Sequence, residues 1–203
     1  MKKKMTYDNL ITYILFIILI ATLIYNYVYR GGDKIGRLLL TMFTIIAVKT
    51  LFKVTFLKKS KAAYILIVTF IMISMYLGNV FDFYGYIKNY DKVLHFLSGM
   101  IISLLSIIIY SYFTQENINN INKKFVIFFS FIFITSLAGL WEIWEFTTDR
   151  IFGFQAQCNS LTDTMLDIIS GTLGGVFLLI LIYLLGIRRK SKILERIIEE
   201  VLK

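Results

Sequence analysis

Residues 163–186 read DTMLDIISGTLGGVFLLILIYLLG, and this stretch decides the fold. Its only charges, Asp163 and Asp167, stand at one end, and an unbroken apolar run follows. A bilayer core of about 30 Å is crossed by about 20 apolar residues in a helix. Backbone groups in lipid must bond within their own segment, so such a run becomes helical. Five further runs of the same kind lie at 9–29, 36–57, 62–84, 91–113 and 124–146. The expectation is an all-α, polytopic integral membrane protein: a six-transmembrane-helix bundle in a single membrane domain spanning 1–203. In the tail, 188–203, Ile193, Leu194, Ile197, Ile198, Val201 and Leu202 recur at helical spacing. That pattern predicts an amphipathic helix lying on the cytoplasmic leaflet.

Composition agrees. The chain is 58% hydrophobic and 17% charged, where soluble domains average about 45–50% and 25%. A soluble enzyme, a disordered tail and a nucleic-acid-binding module are therefore set aside. There is no proline to kink a helix, and Cys158 is the sole cysteine. An intramolecular disulfide and a multi-Cys zinc site are excluded.

The net charge of +9 comes from 22 Lys+Arg against 13 Asp+Glu, and the basic residues fall between the apolar runs. One side collects Lys2–Lys4, Lys58, Lys59, Lys61, Lys123, Lys124, Arg188, Arg189, Lys190 and Lys192. The other has Arg30, Lys34, Arg37, Lys88, Lys92 and Arg150. The richer side is read as cytoplasmic, which puts both termini inside. The N-terminal run, from about Leu10 to Tyr29, exceeds a signal-peptide core and ends without a small-x-small cleavage site, so it reads as a retained helix. Lys49 and Lys53 lie within the second span. Snorkelling to the interface is the favoured account of both, and a buried ion pair is the alternative.

With this orientation the acidic residues converge on the outer side. The fourth span opens with Asp91, Lys92 and His95, the fifth ends with Glu142, Glu145 and Asp149, and the sixth opens with Asp163 and Asp167. Asp82 is placed near the same depth. Asp91/His95 and Asp163/Asp167 are i,i+4 pairs and Glu142/Glu145 is i,i+3, so each pair shares one helix face. Such a set suits a divalent cation held by Asp91, His95, Glu142, Asp163 and Asp167. It also suits acid–base work, with Glu142, Glu145 and His95 as the candidate catalytic groups. The bland alternative is a polar network that only pins three helices. Gly171 and Gly175 form a small-x-x-x-small face for close helix packing, and Ser98 and Gly99 can do the same. Trp141 and Trp144 suit an interfacial aromatic belt. The loop from Thr147 to Thr162, with Phe152, Gly153 and Phe154, reads equally as a lid or as a plain interfacial connection.

The run Asp91-Lys92-Val93-Leu94-His95-Phe96 resembles the D-K-x-x-H-F motif of VanZ-like membrane proteins, and Asp163 to Gly175 resembles their acidic, glycine-bearing last helix. The full order is more similar to the YjdF-like family: His-Phe-x-x-Gly at 95–99, Trp-Glu-x-x-Glu at 141–145 and Asp-Thr-x-x-Asp at 163–167, then glycines. The resemblance covers roughly 75–186 and implies a six-span protein of the bacterial cytoplasmic (inner) membrane. YjdF-like proteins have no established activity. VanZ-like proteins are associated with lipoglycopeptide resistance, and this chain departs from them at Trp-Glu-x-x-Glu, where a glutamate–glutamine pairing is their pattern.

These readings predict a site that binds or acts on a lipid or amphiphile head group at the outer leaflet, with a divalent cation as cofactor, membrane lipids as partners and no nucleic acid. The alternatives are a small ion- or proton-coupled transporter, or a non-catalytic envelope or antibiotic-resistance accessory. Polar residues concentrate in the outer half, which disfavours transport.

Overall fold

The computed structural model describes residues 6–115, 122–153 and 156–188. Its regular structure is helical: α1 (Tyr7–Tyr29), α2 (Ile35–Val54), α3 (Lys61–Val80), the single turn α4 (Phe83–Tyr86), α5 (Tyr90–Thr114), α6 (Lys123–Phe152) and α7 (Leu161–Arg188). All but α4 are long and apolar enough to cross a membrane. The tail expected at 188–203 lies outside the described residues beyond Arg188, as do Lys2–Lys4 and Phe154. The contacts group the chain into two compact units, Met1–Lys88 and Asn89–Lys203.

In the first unit, polar side chains tie apolar helices together. Lys49 pairs with Asp8 at 2.7 Å and stands 4.3 Å over the Tyr64 ring. The Tyr64 hydroxyl shares a 2.7 Å hydrogen bond with Thr12, and the Tyr76 hydroxyl shares one with Thr22, also at 2.7 Å. Ion pairing rather than snorkelling therefore accounts for Lys49. Its partner was hidden because α1 begins at Tyr7, two residues before the expected span. Between Met72 and Val80, α3 loosens into π-helix. There Arg37 Nη1 donates to the Asn79 carbonyl at 2.6 Å, in the last turn of the helix, where carbonyls have no intrahelical partner. The turn after α1 closes through Asn26, whose amide donates to Asp33 at 2.7 Å and whose Oδ1 accepts from the Lys34 N–H. That amide bond, with Arg30 and Lys34 nearby, holds the Asp33 carboxyl below the usual carboxylate range. Asp82 belongs to this unit. It sits in the left-handed region (φ 61°) and heads α4, its carbonyl accepting from the Gly85 and Tyr86 N–H groups.

In the second unit, α5 packs most extensively on α7, and both touch α6. The α5–α7 seam is made by absent side chains. A Cβ on Gly99 would collide with the Gly171 carbonyl oxygen, and one on Gly174 with the Phe96 carbonyl oxygen. A Cβ on Gly175 would come within 2.6 Å of Ile134. In lipid, where apolar burial between helices gains little, such close backbone approach is a main source of packing energy. The α5–α6 seam uses buried serines, with Ser106 donating to Ser130 Oγ at 2.7 Å. Deeper, Ile107, Tyr110, Val126, Ile134 and Leu179 close the core.

The largest departure from expectation is α6, which continues past residue 146 to Phe152. No helix breaker precedes Gly153, which takes the left-handed capping conformation (φ 71°). Thr147 and Thr148 return their hydroxyls to the carbonyls of the preceding turn, so polar residues there do not end the helix. Helix thus occupies Thr147–Phe152 and begins again at Leu161, both within the range expected as loop.

Candidate acidic and histidine site

The ends of α5, α6 and α7 that meet in the second unit bring together Asp91, Lys92 and His95 from α5, Glu142 and Glu145 from α6, and Asp163 and Asp167 from α7. The six residues named from the sequence as candidates are thus brought to one end of the unit. Periodicity explains the convergence: Asp91/His95 and Asp163/Asp167 each return to one face after a turn, and the glycine seam one turn below holds α5 against α7.

The site has two halves that share His95. On the aspartate side, Lys92 Nζ lies 2.6 Å from Asp163 Oδ1, 2.7 and 2.8 Å from the two Asp167 oxygens and 3.3 Å from Asp91 Oδ2. Asp167 is 2% exposed, so the ammonium is what makes its charge tolerable inside the protein. From sequence alone Lys92 reads as one of the basic residues that set topology, a reading that gives no sign of this role. The signal available was its place between Asp91 and His95, close enough to reach the α7 aspartates. His95 Nε2 is 3.6 Å from Asp91 Oδ1 and 3.7 Å from Asp167 Oδ1.

On the glutamate side, Glu142 is 4% exposed. Its Oε2 accepts from Gln157 Nε2 at 3.1 Å, and the same amide reaches the Glu142 carbonyl at 3.0 Å. Its Oε1 is buried without a hydrogen-bond partner among the described residues. Leaving a buried charged acceptor unpaired costs about 1–3 kcal/mol or more, so this oxygen is the conspicuous open valence of the site. Glu145 is held by the Trp141 indole, which donates to Oε1 at 2.9 Å. Donor atoms of His95, Glu142 and Glu145 all lie within 4.8 Å of one another, as do those of Asp91, His95 and Asp167.

Gln157 was also missed by sequence reasoning, which had no way to place a loop amide. Asp149 positions it: its two oxygens accept the Ala156 and Gln157 N–H groups at 3.0 and 3.1 Å. Asp149 is therefore a loop anchor. Ser160 Oγ accepts the Asp163 N–H at 3.2 Å, capping α7 where its aspartates begin. Cys158 is exposed in this loop, and local burial, with Asp163 and Asp91 nearby, raises its thiol above the ordinary value.

Five carboxyl groups thus surround one ammonium and one imidazole. With every carboxyl ionised and the imidazole neutral, the site carries −4, from five negative charges and one positive. The arrangement can hold cations or move protons.

Three comparisons bear on this. The family model described as "Predicted membrane protein (DUF2238)" matches residues 10–188, in accord with the YjdF-like resemblance. The VanZ-like resemblance rests on motifs alone. A protein of Thermotoga maritima described as "Uncharacterized protein" is 33% identical over 98 residues, 48% of this chain and 50% of that one. The matched stretch thus spans about half the length of that relative. No solved structure is significantly similar to the chain.

Proposed function

Because the chain belongs to the DUF2238 family of predicted membrane proteins, we propose that it is a multi-pass protein of the bacterial cytoplasmic membrane, both termini inside, that binds or acts on the head group of a lipid or other amphiphile. Its acidic/His site opens to the outer leaflet and holds a divalent cation. The observation that carries this reading is Glu142, a nearly fully buried carboxylate with a free oxygen, beside His95 and Glu145.

The residues divide the work by what already holds them. Glu142 and His95 face the cation. Glu145, pinned at Oε1 by the Trp141 indole, keeps its second oxygen for the proton of an attacking water. A cation bound there supplies polarisation of a phosphoryl or ester oxygen or activation of water. The excess of carboxyl groups over cationic side chains disfavours an anionic head group until a cation is bound, so binding of the two is linked.

Metal content of protein purified in mild detergent tests the reading, with His95→Ala and Glu142→Gln compared once all three are shown to be folded. Near-stoichiometric metal in the wild type, lost in both variants, supports it and directs screening to lipid-phosphate and ester hydrolysis. No uptake after incubation with Zn, Mn and Mg would remove the cation. A second reading, a purely structural clasp, is favoured by Lys92 bridging α5 to Asp163 and Asp167 of α7. It requires Glu142→Gln to change stability and function together.

A further inference from the structure

We propose that Lys92 is a resident cation that fills the aspartate half of the site, so that the protein takes one divalent metal, on the His95–Glu142–Glu145 side, and not two. The proposal rests on the cation reading above and specifies which half takes the ion.

Two donor groups compete for His95: Asp91 with Asp167, and Glu142 with Glu145. They differ in what occupies them. The ammonium of Lys92 contacts all three aspartates at 2.6–3.3 Å. It therefore stands where a metal bridging Asp91 and Asp167 would have to sit, and its charge repels a second cation there. No lysine or arginine is recorded against Glu142 or Glu145 among the described residues. Their recorded donors are neutral, the Gln157 amide and the Trp141 indole. The independent sign of a ligand is Glu142 Oε1, on a side chain more than nine-tenths buried and without a hydrogen-bond partner among the described residues; Asp167 Oδ1 is equally buried and also makes no hydrogen bond, but the Lys92 ammonium stands 2.7 Å from it. The His95 imidazole and the Glu142 carboxylate, with Glu145 beside them, offer a mixed nitrogen–oxygen set suited to Zn, Mn or Fe. Lys92 is on this account a specificity-determining residue. It sets the number of metals and leaves the aspartates neutralised whether or not a metal is bound.

The test is equilibrium dialysis of the metal-stripped full chain in mild detergent against Mn(II), counting equivalents bound. Wild type should bind one and Lys92→Met two. Lys92→Arg, which keeps the cation, should bind one, and Lys92→Met with Glu142→Gln should bind one, now on the aspartates. Because Lys92→Met leaves three facing aspartates without a counter-charge, a charge-matched variant accompanies it. The double variant Lys92→Met/Asp163→Asn restores the wild-type formal charge of that half and should still take the extra equivalent, with weaker affinity. If wild type binds one and neither Lys92→Met variant takes more, the resident-cation proposal is overturned while the cation reading stands. If wild type binds none, the cation reading fails and the one-metal proposal fails with it, whatever Lys92→Met binds. Two equivalents in wild type overturn the proposal outright.

Discussion

The glycine seam between α5 and α7 gives the sharpest expectation about stability. Gly174→Ala puts a methyl on the Phe96 carbonyl oxygen, and Gly99→Ala puts one on that of Gly171. The obstruction is backbone in both cases, so no side-chain rotation relieves it. The added Cβ would lie 1.8–1.9 Å from the carbonyl oxygen against about 3.4 Å for an ordinary contact, so the two helices must part by roughly 1.5 Å along the seam, and overpacking of this kind costs about 1–3 kcal/mol. Gly139 on α6 is the internal control. A Cβ there meets nothing within 4 Å, and alanine in a helix interior is worth up to about 1 kcal/mol over glycine. That gain is common to all three variants, so the seam variants and the control should differ by the overpacking cost, about 1–3 kcal/mol. The assay is unfolding in one detergent, followed by circular dichroism. Gly139→Ala should unfold at or above the wild-type midpoint and both seam variants clearly below it. Because His95 and Phe96 are adjacent on α5, the seam variants should also loosen the Lys92 contacts and reduce any metal bound. Seam variants as stable as Gly139→Ala would refute the close approach.

Three other expectations concern separate features. Lys49→Met or Asp8→Asn should each lower stability by about 1 kcal/mol, a small value because the pair is partly exposed; exchanging the residues as Asp8→Lys/Lys49→Asp should recover part of it in the same unfolding assay, and no recovery would argue against a specific pair. Cys158, the sole cysteine, should react with a membrane-impermeant maleimide in intact cells if the loop between α6 and α7 faces outward. Its raised thiol means that little thiolate is present at pH 7, so labelling should accelerate as pH rises toward 9, more steeply than for a free small-molecule thiol; labelling only after lysis would reverse the orientation. Gln157→Leu withdraws the amide that serves Glu142 Oε2 and the Glu142 carbonyl, and a loss of about 1–3 kcal/mol should follow, read as a lower midpoint.

The spans were legible because hydropathy and length are properties of single segments. The site was legible because charges in apolar helices are rare enough to be counted, and because i,i+4 spacing fixes which of them share a face. What stayed hidden depends on contacts across segments. Lys92 reads from sequence as one more loop-side cation; only its reach to Asp163 and Asp167, 71 and 75 residues away, makes it the centre of the aspartate half. Asp8 fell outside its expected span by one residue, and with it the partner of Lys49. The six added residues of α6 were missed because Thr147, Thr148 and Asp149 look polar enough for a loop, although threonine hydroxyls bond back to their own helix. Gln157 carries no signal at all until the loop is closed.

The same separation of Lys92 from its partners sets a timetable for biogenesis. A chain emerges at roughly 5–20 residues per second, so α5 is made with Lys92 some 4–14 seconds before Asp163 exists to receive it. During that interval Asp91 is the carboxylate at hand in the sequence, and the ammonium must wait close to water. The ion cluster is therefore completed only when α7 arrives, and it can mark the moment at which α5 and α7 are locked into register. A chain cut short before Asp163 would leave α5 with an unmatched lysine, a natural flag for quality-control proteases.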